Sequence, residues 1–258
     1  MVETVIIGST LIMLVFGALQ FALIYHAKTT LNYATFEAAR SGALNNARMT
    51  FIENAFVRGM AALYTHDDSV DDVRRGRCVV RTDLYGGDPY GICQGVLPSN
   101  PPTVANPNQV YAQIEMLNPR PEHFQTSNHG IDVDDGFEIP NDSLMYRPDT
   151  IKGGVSIQDA NLLKIRVTYC YPLYVPLVNE TIVTLLALYK AGWSPDAGDP
   201  MTNPEWSLMV QDFRDERTAA GGAAPFPDRC LYAEPTPRIP LNAMAIVRMQ
   251  SPAFLPGP

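Results

Sequence analysis

The chain has 258 residues, a formal net charge of −8, 18% charged side chains and 46% hydrophobic ones. Phosphate binding requires clustered Lys and Arg, so this balance speaks against a nucleic-acid partner. Its 22 prolines and 18 glycines demand much loop, while the apolar fraction is sufficient for a core.

Residues 4–25, TVIIGSTLIMLVFGALQFALIY, carry no charge, and Glu3 stands immediately in front of them. As a helix this stretch would be roughly 33 Å long, enough to cross a hydrocarbon core of about 30 Å. A membrane span is therefore expected, with the rest of the chain on one side. A cleaved secretory signal fits less well, because such signals start basic, have an apolar run of about 7–15 residues and end at a small-residue site. Lys28, Arg40 and Arg48 follow the span and nothing basic precedes it, so an exported head requires a basic leader upstream. Forced toward the bilayer centre, Glu3 would cost on the order of 3 kcal/mol. Its bland reading is a headgroup-level carboxylate that suits the positive end of the helix dipole.

The run MVETVIIGSTLIMLVFGALQFALIYHAKTTLNYATFEAARSGAL resembles the N-terminus of TadE-like proteins, pilin-like components of tight-adherence (Flp) pilus systems. Residues 162–179 (LLKIRVTYCYPLYVPLVN) and 239–252 (IPLNAMAIVRMQSP) resemble C-terminal segments of the same family. The resemblance implies a basic leader cut by a prepilin peptidase and an acidic residue a few positions into the mature chain. Glu3 is the position that matches that acidic residue. It further implies assembly through the N-terminal helix, with Glu3, Gly17, Ala18 and Ala22 as assembly positions, and other pilin subunits and an inner-membrane assembly platform as partners. Glu3 would pair with the terminal ammonium of a neighbouring subunit.

Past the span, residues 27–47 keep a helical composition rich in Ala34, Ala38, Ala39, Ala43 and Ala47, and no proline interrupts them. Asn45 and Asn46 are a plausible break. Ile52, Ala55, Phe56, Gly59, Met60 and Leu63 then recur at helical spacing, which predicts an amphipathic helix to about Tyr64. Next, Asp67, Asp68, Asp71 and Asp72 precede Arg74, Arg75 and Arg77; the charges largely cancel, and a solvated helix-to-strand connection is expected.

Strand-like alternation is expected at Cys78–Thr82, at 110–116 (Val110, Ala112, Ile114 and Met116 on one face) and in LKIRVTYCY. In that last run Leu163, Ile165, Val167, Tyr169 and Tyr171 oppose Lys164, Arg166 and Thr168. A closing strand is expected through Met244 and Ile246 to Arg248. Antiparallel pairing suits these few strands better than parallel units, which predicts an α+β fold with a small sheet. Residues 172–192 are apolar nearly all round, and the run from Ile182 to Leu188 is too short to span. Ile182, Leu185 and Leu186 would be buried in the core, against a neighbouring subunit, or in the membrane surface, and Gly192 offers a helix stop.

Cys78, Cys93, Cys170 and Cys230 include no C-x-x-C pair, so zinc is not expected. An even number on an exported side reads as two disulfides, although three connectivities are open and free buried thiols are the alternative. Cys78 with Cys93 and Cys170 with Cys230 are the preferred pairs. Asp132, Asp134, Asp135, Glu138 and Asp142 surround Gly136 but miss the EF-hand offsets, so a solvated acidic loop is favoured over a calcium site. His26, His66, His123 and His129 lack metal-ligand spacing. No nucleophile elbow, P-loop or dinucleotide fingerprint occurs, and neither enzymatic activity nor a cofactor is expected.

The sequence thus divides into a membrane and assembly helix (1–26), a helical extension (27–65) and an exported globular domain (66–258). A structural subunit in the bacterial inner membrane, later in an extracellular pilus, is the reading the resemblance implies. A permanently anchored binding module or adhesin, using its loops with Trp193 and Trp206, is the alternative, as is a large subunit forming its own filament.

Overall fold

The computed structural model describes residues 2–87, 91–96, 110–190, 230 and 238–256, with the backbone alone at 2–6 and 187–190. One unbroken helix, α1 (Val2–Leu44), opens the chain. It stops where Asn46 and Ala47 take positive φ (58° and 56°), and the Ala47 amide closes onto the Gly42 carbonyl at 2.9 Å. Asparagine tolerates this left-handed geometry; alanine adopts it at a cost. Residues far along the chain supply partners for the helix end. The Gln250 and Ser251 amides donate to the Ala43 carbonyl at 3.0 and 3.1 Å, the Phe254 amide donates to the Asn46 carbonyl, and the Asn46 amide donates to Ser251 Oγ at 2.8 Å.

Helix α2 (Met49–Met60) folds back on α1 and buries Ile52, Ala55, Phe56, Val57 and Met60. Approach is close enough that a Cβ on Gly59 would lie 2.8 Å from the Ala34 Cα, and one on Gly42 would lie 2.7 Å from Ile52 and 2.8 Å from Leu163. Helix α3 (Val70–Tyr85) starts at Ser69, whose hydroxyl accepts from the Asp72 amide. It ends at Gly86, which takes φ 71° and donates to the Thr82 carbonyl. Cys78–Thr82 is thus the middle of a helix, not a strand. Five residues of strand-like composition are overruled by a cap on one side and a glycine stop on the other. Arg74 and Arg75 belong to the same helix, with Asp71 and Asp72 one turn before them, rather than to a connection.

The central sheet has the order β1 (Ala112–Asn118), β4 (Leu162–Pro172), β5 (Arg238–Arg248), all antiparallel. Leu163, Ile165, Val167, Tyr169 and Tyr171 of β4 are buried, and Ala243 and Ala245 lie opposite Val167 and Ile165 on β5. This face packs on α1, whose contribution is mainly alanine: Ala27, Ala34, Ala38, Ala39 and Ala43, with Leu31. Small side chains let the helix axis approach the strands and share one core with α2.

Between β1 and β4, residues 131–139 form a hairpin, β2 (Ile131–Val133) and β3 (Gly136–Ile139), turning at Asp134 and Asp135. β6 (Ala253–Pro256) pairs with β3 and completes a second three-stranded sheet. The acidic segment is therefore built into a sheet rather than left as a loop, and there are two small sheets where one was expected. Helix α4 (Ile157–Ala160) precedes β4, and α5 (Val178–Lys190) follows it. The fold is α+β.

Candidate assembly surface and the cluster behind it

Within α1 the described side chains from Ile7 to Tyr25 form a nearly bare apolar cylinder. Ile7, Leu11, Leu14, Leu19 and Phe21 are each more than half exposed, Leu14 at 70%. This is the one helix among the described residues long and apolar enough to cross a membrane, and its apolar window is almost uncovered by the rest of the molecule. A helix apolar on all sides belongs in lipid or inside a bundle, not in water. Ala18 and Ala22 lie on the exposed surface and Gly17 is half-buried; a Cβ on Gly17 would meet nothing within 4 Å. The Glu3 side chain, and with it the ion-pair expectation, lies outside the described residues, as do Gly192, Trp193 and Trp206.

Gln20 interrupts this cylinder. It is fully buried, because the segment between β4 and α5 descends onto it, and the Val175 amide donates to Gln20 Oε1 at 2.9 Å. A lone glutamine inside an apolar span was a legible signal, since polar side chains at such positions face protein. Helix α5 packs beside α1 just after this contact. Its Val183 is buried and Ile182 is half-buried against the core. Leu185 and Leu186 are not in the core: they are 52% and 36% exposed.

The head is locked by a buried polar cluster that pattern reading missed. Asp83 of α3 and Arg238 of β5 are each 1% exposed, with Arg238 Nη1 3.7 Å from Asp83 Oδ1. Tyr169 donates its hydroxyl to Asp83 Oδ2, and Tyr64 is hydrogen-bonded to Tyr169. Arg238 also donates to the Cys170 carbonyl at 3.1 Å and lies 3.8 Å over the Tyr111 ring. Burial pushes the Asp83 carboxyl up, opposed by the Arg238 charge and the Tyr169 hydrogen bond. Burial alone would lower Arg238, but Asp83 and the surrounding hydroxyls outweigh it, so its pKa rises and it stays a cation. Tyr64 and Tyr169 are raised well above their ordinary value, chiefly by burial. The four groups come from separate parts of the chain, and only a polar-tipped tyrosine on the buried face of β4 hinted at them. Asp83 and Arg238 are both buried, and the evident work of the arrangement is to clamp α3, the sheet and the helical extension together.

Disulfides join Cys78 to Cys93 and Cys170 to Cys230, with Cα separations of 5.5 and 5.1 Å. The second lies beside the clamp, against Tyr111. Among the described residues no group of three or more His, Cys, Asp or Glu converges to hold a metal. His123 instead accepts the Arg120 amide through Nδ1, and His129 bonds the Val155 carbonyl through Nε2.

No curated protein and no solved structure matches the chain. A family model does: residues 1–40 match the family described as TadE-like protein, so the match covers nearly all of α1 and stops short of the head. Over that segment the resemblance stands, and the bare helix described above is its TadE-like part.

Proposed function

We propose that the chain is a structural, non-enzymatic pilin-like subunit of a bacterial tight-adherence or related type IV-like pilus, in the role of minor pilin, initiator or tip component. The observation that carries this reading is α1 itself. One half is an uncovered apolar cylinder, the other half is fused to a folded head, and the family match falls on that same helix. In this reading residues 1–26 hold the subunit in the inner membrane, 27–65 extend the helical stem, and 66–258 form the exported domain. Transfer from lipid into a filament is then nearly neutral for the helix, because neighbouring α1 helices offer an equally apolar surface. Partners are other pilin subunits, the inner-membrane assembly platform and a prepilin peptidase. Glu3 pairs with the terminal ammonium of a neighbour, which offsets burial of both charges and sets axial register.

N-terminal mass spectrometry of the protein from sheared extracellular filaments and from inner membranes of its native host tests the reading. A processed terminus in the sheared fraction supports it. An unprocessed chain confined to the membrane sinks it in favour of an anchored binding module. Glu3→Ala is expected to leave insertion intact and to reduce filament yield; a wild-type yield would overturn the pairing.

A further inference from the structure

We infer that α5 is a second membrane contact: an interfacial helix lying in the leaflet on the head's side, with Leu177, Leu185 and Leu186 against the acyl chains. The inference rests on the reading of α1 as a membrane span. Gln20 fixes the level. It stands five residues before Tyr25, the last residue of the uncharged stretch, and so about 7–8 Å below it along the helix. Val175 is hydrogen-bonded to Gln20, and α5 begins three residues later beside α1. The head therefore reaches into the span instead of sitting on its end. That depth falls in the range of about 5–10 Å at which interfacial helices bury their apolar side.

The surface of this region agrees with the depth. Leu177 is 70% exposed, and Leu185 and Leu186 are exposed on a helix that packs beside α1 and carries no charge between Glu180 and Lys190. Tyr174 is half-exposed beside this segment and Tyr25 is exposed at the upper end of the span, residues that favour the boundary between headgroups and hydrocarbon. Lys28, one turn above, is held at head level by its bond to the Asn242 carbonyl. Gln20 itself is shielded from lipid by the descending segment, which satisfies its carbonyl oxygen.

The test uses the full chain in phosphatidylcholine/phosphatidylglycerol vesicles. All four native cysteines are bridged, so Leu185→Cys supplies a single thiol for an environment-sensitive fluorophore. Leu14→Cys in the span and Met244→Cys on the outer face of the sheet are the references, and Leu177→Cys replaces Leu185→Cys if that variant does not fold. Lipids carrying a nitroxide near the headgroup are expected to quench the label at Leu185 about twofold, more than deep nitroxides do. At Leu14 the deep nitroxides should win, and Met244 should be unquenched. Quenching at Leu14 with none at Leu185 and Leu177 overturns the inference while α1 remains a span; this is also the result if a neighbouring copy covers α5. No quenching at any position overturns both.

Discussion

Residues 7–25 and 27–44 belong to the same helix, yet one half is bare and the other is almost sealed on one face. The bare half carries the larger apolar side chains, Ile7, Leu11, Met13, Leu14, Leu19 and Phe21; the packed half offers alanine. In water the assignment should be reversed, because the larger apolar area gains more from burial, at about 25 cal/mol per Å². Such an inversion is expected of a helix whose two halves answer to different solvents. Small residues stand where the helix approaches a sheet, and large ones where the described head leaves it uncovered. The comparison also locates stability: apart from Gln20 and its bond to Val175, the packing that holds the head lies along the second half of the helix.

Arg238→Ala probes this division most strongly. It leaves the buried Asp83 carboxyl without its cation, at an expected cost of about 3–5 kcal/mol in denaturant unfolding of the detergent-solubilised chain. Carbonate-resistant insertion should be unchanged; loss of insertion would break the separation of the halves. Glycine substitutions inside α1 come next. Gly42→Ala drives a methyl into Ile52 and Leu163, both fully buried, and should cost about 1–3 kcal/mol of head stability. Gly17→Ala meets nothing within 4 Å and should leave the head's unfolding midpoint where it was. Equal effects at the two positions would show that the halves are not packed differently. The smallest effect is expected at Asp72, whose carboxylate is held below its ordinary value of 3.8 by the backbone amides of His66 and Asp67. A depressed carboxylate contributes stability above its unfolded value and loses it as pH falls through the folded one. The stability difference between wild type and Asp72→Asn should therefore be constant above about pH 5 and shrink below 3.8. A difference that does not vary with pH would remove the carboxylate from the account.

Legibility followed the range of the interactions. The long apolar helix, the break at Asn45 and Asn46, and the alternation in β4 are local patterns, and they appear as read. The α3 segment was misread because Cys78–Thr82 resembles a strand in isolation, while Ser69 and Gly86, which decide the matter, stand outside that window. The acidic segment became a hairpin because β6, more than 100 residues later, pairs with it. Asp83 and Arg238 are 155 positions apart, and neither residue's type announces a buried partner. Leu185 was ambiguous because its run is apolar nearly all round, and the structure leaves it 52% exposed.

The bonds that close the end of α1 have a temporal side. Asn46 and its partner Ser251 are separated by 205 positions. At about 5–20 residues per second, synthesis of the intervening chain takes on the order of 10–40 s. During that interval Ala43 and Asn46 lack the partners that finish the joint, and β3 lacks its neighbour β6. Helix α1 is complete long before its head can shut, so the order of helix formation and head closure is written into which end of the chain carries the latch.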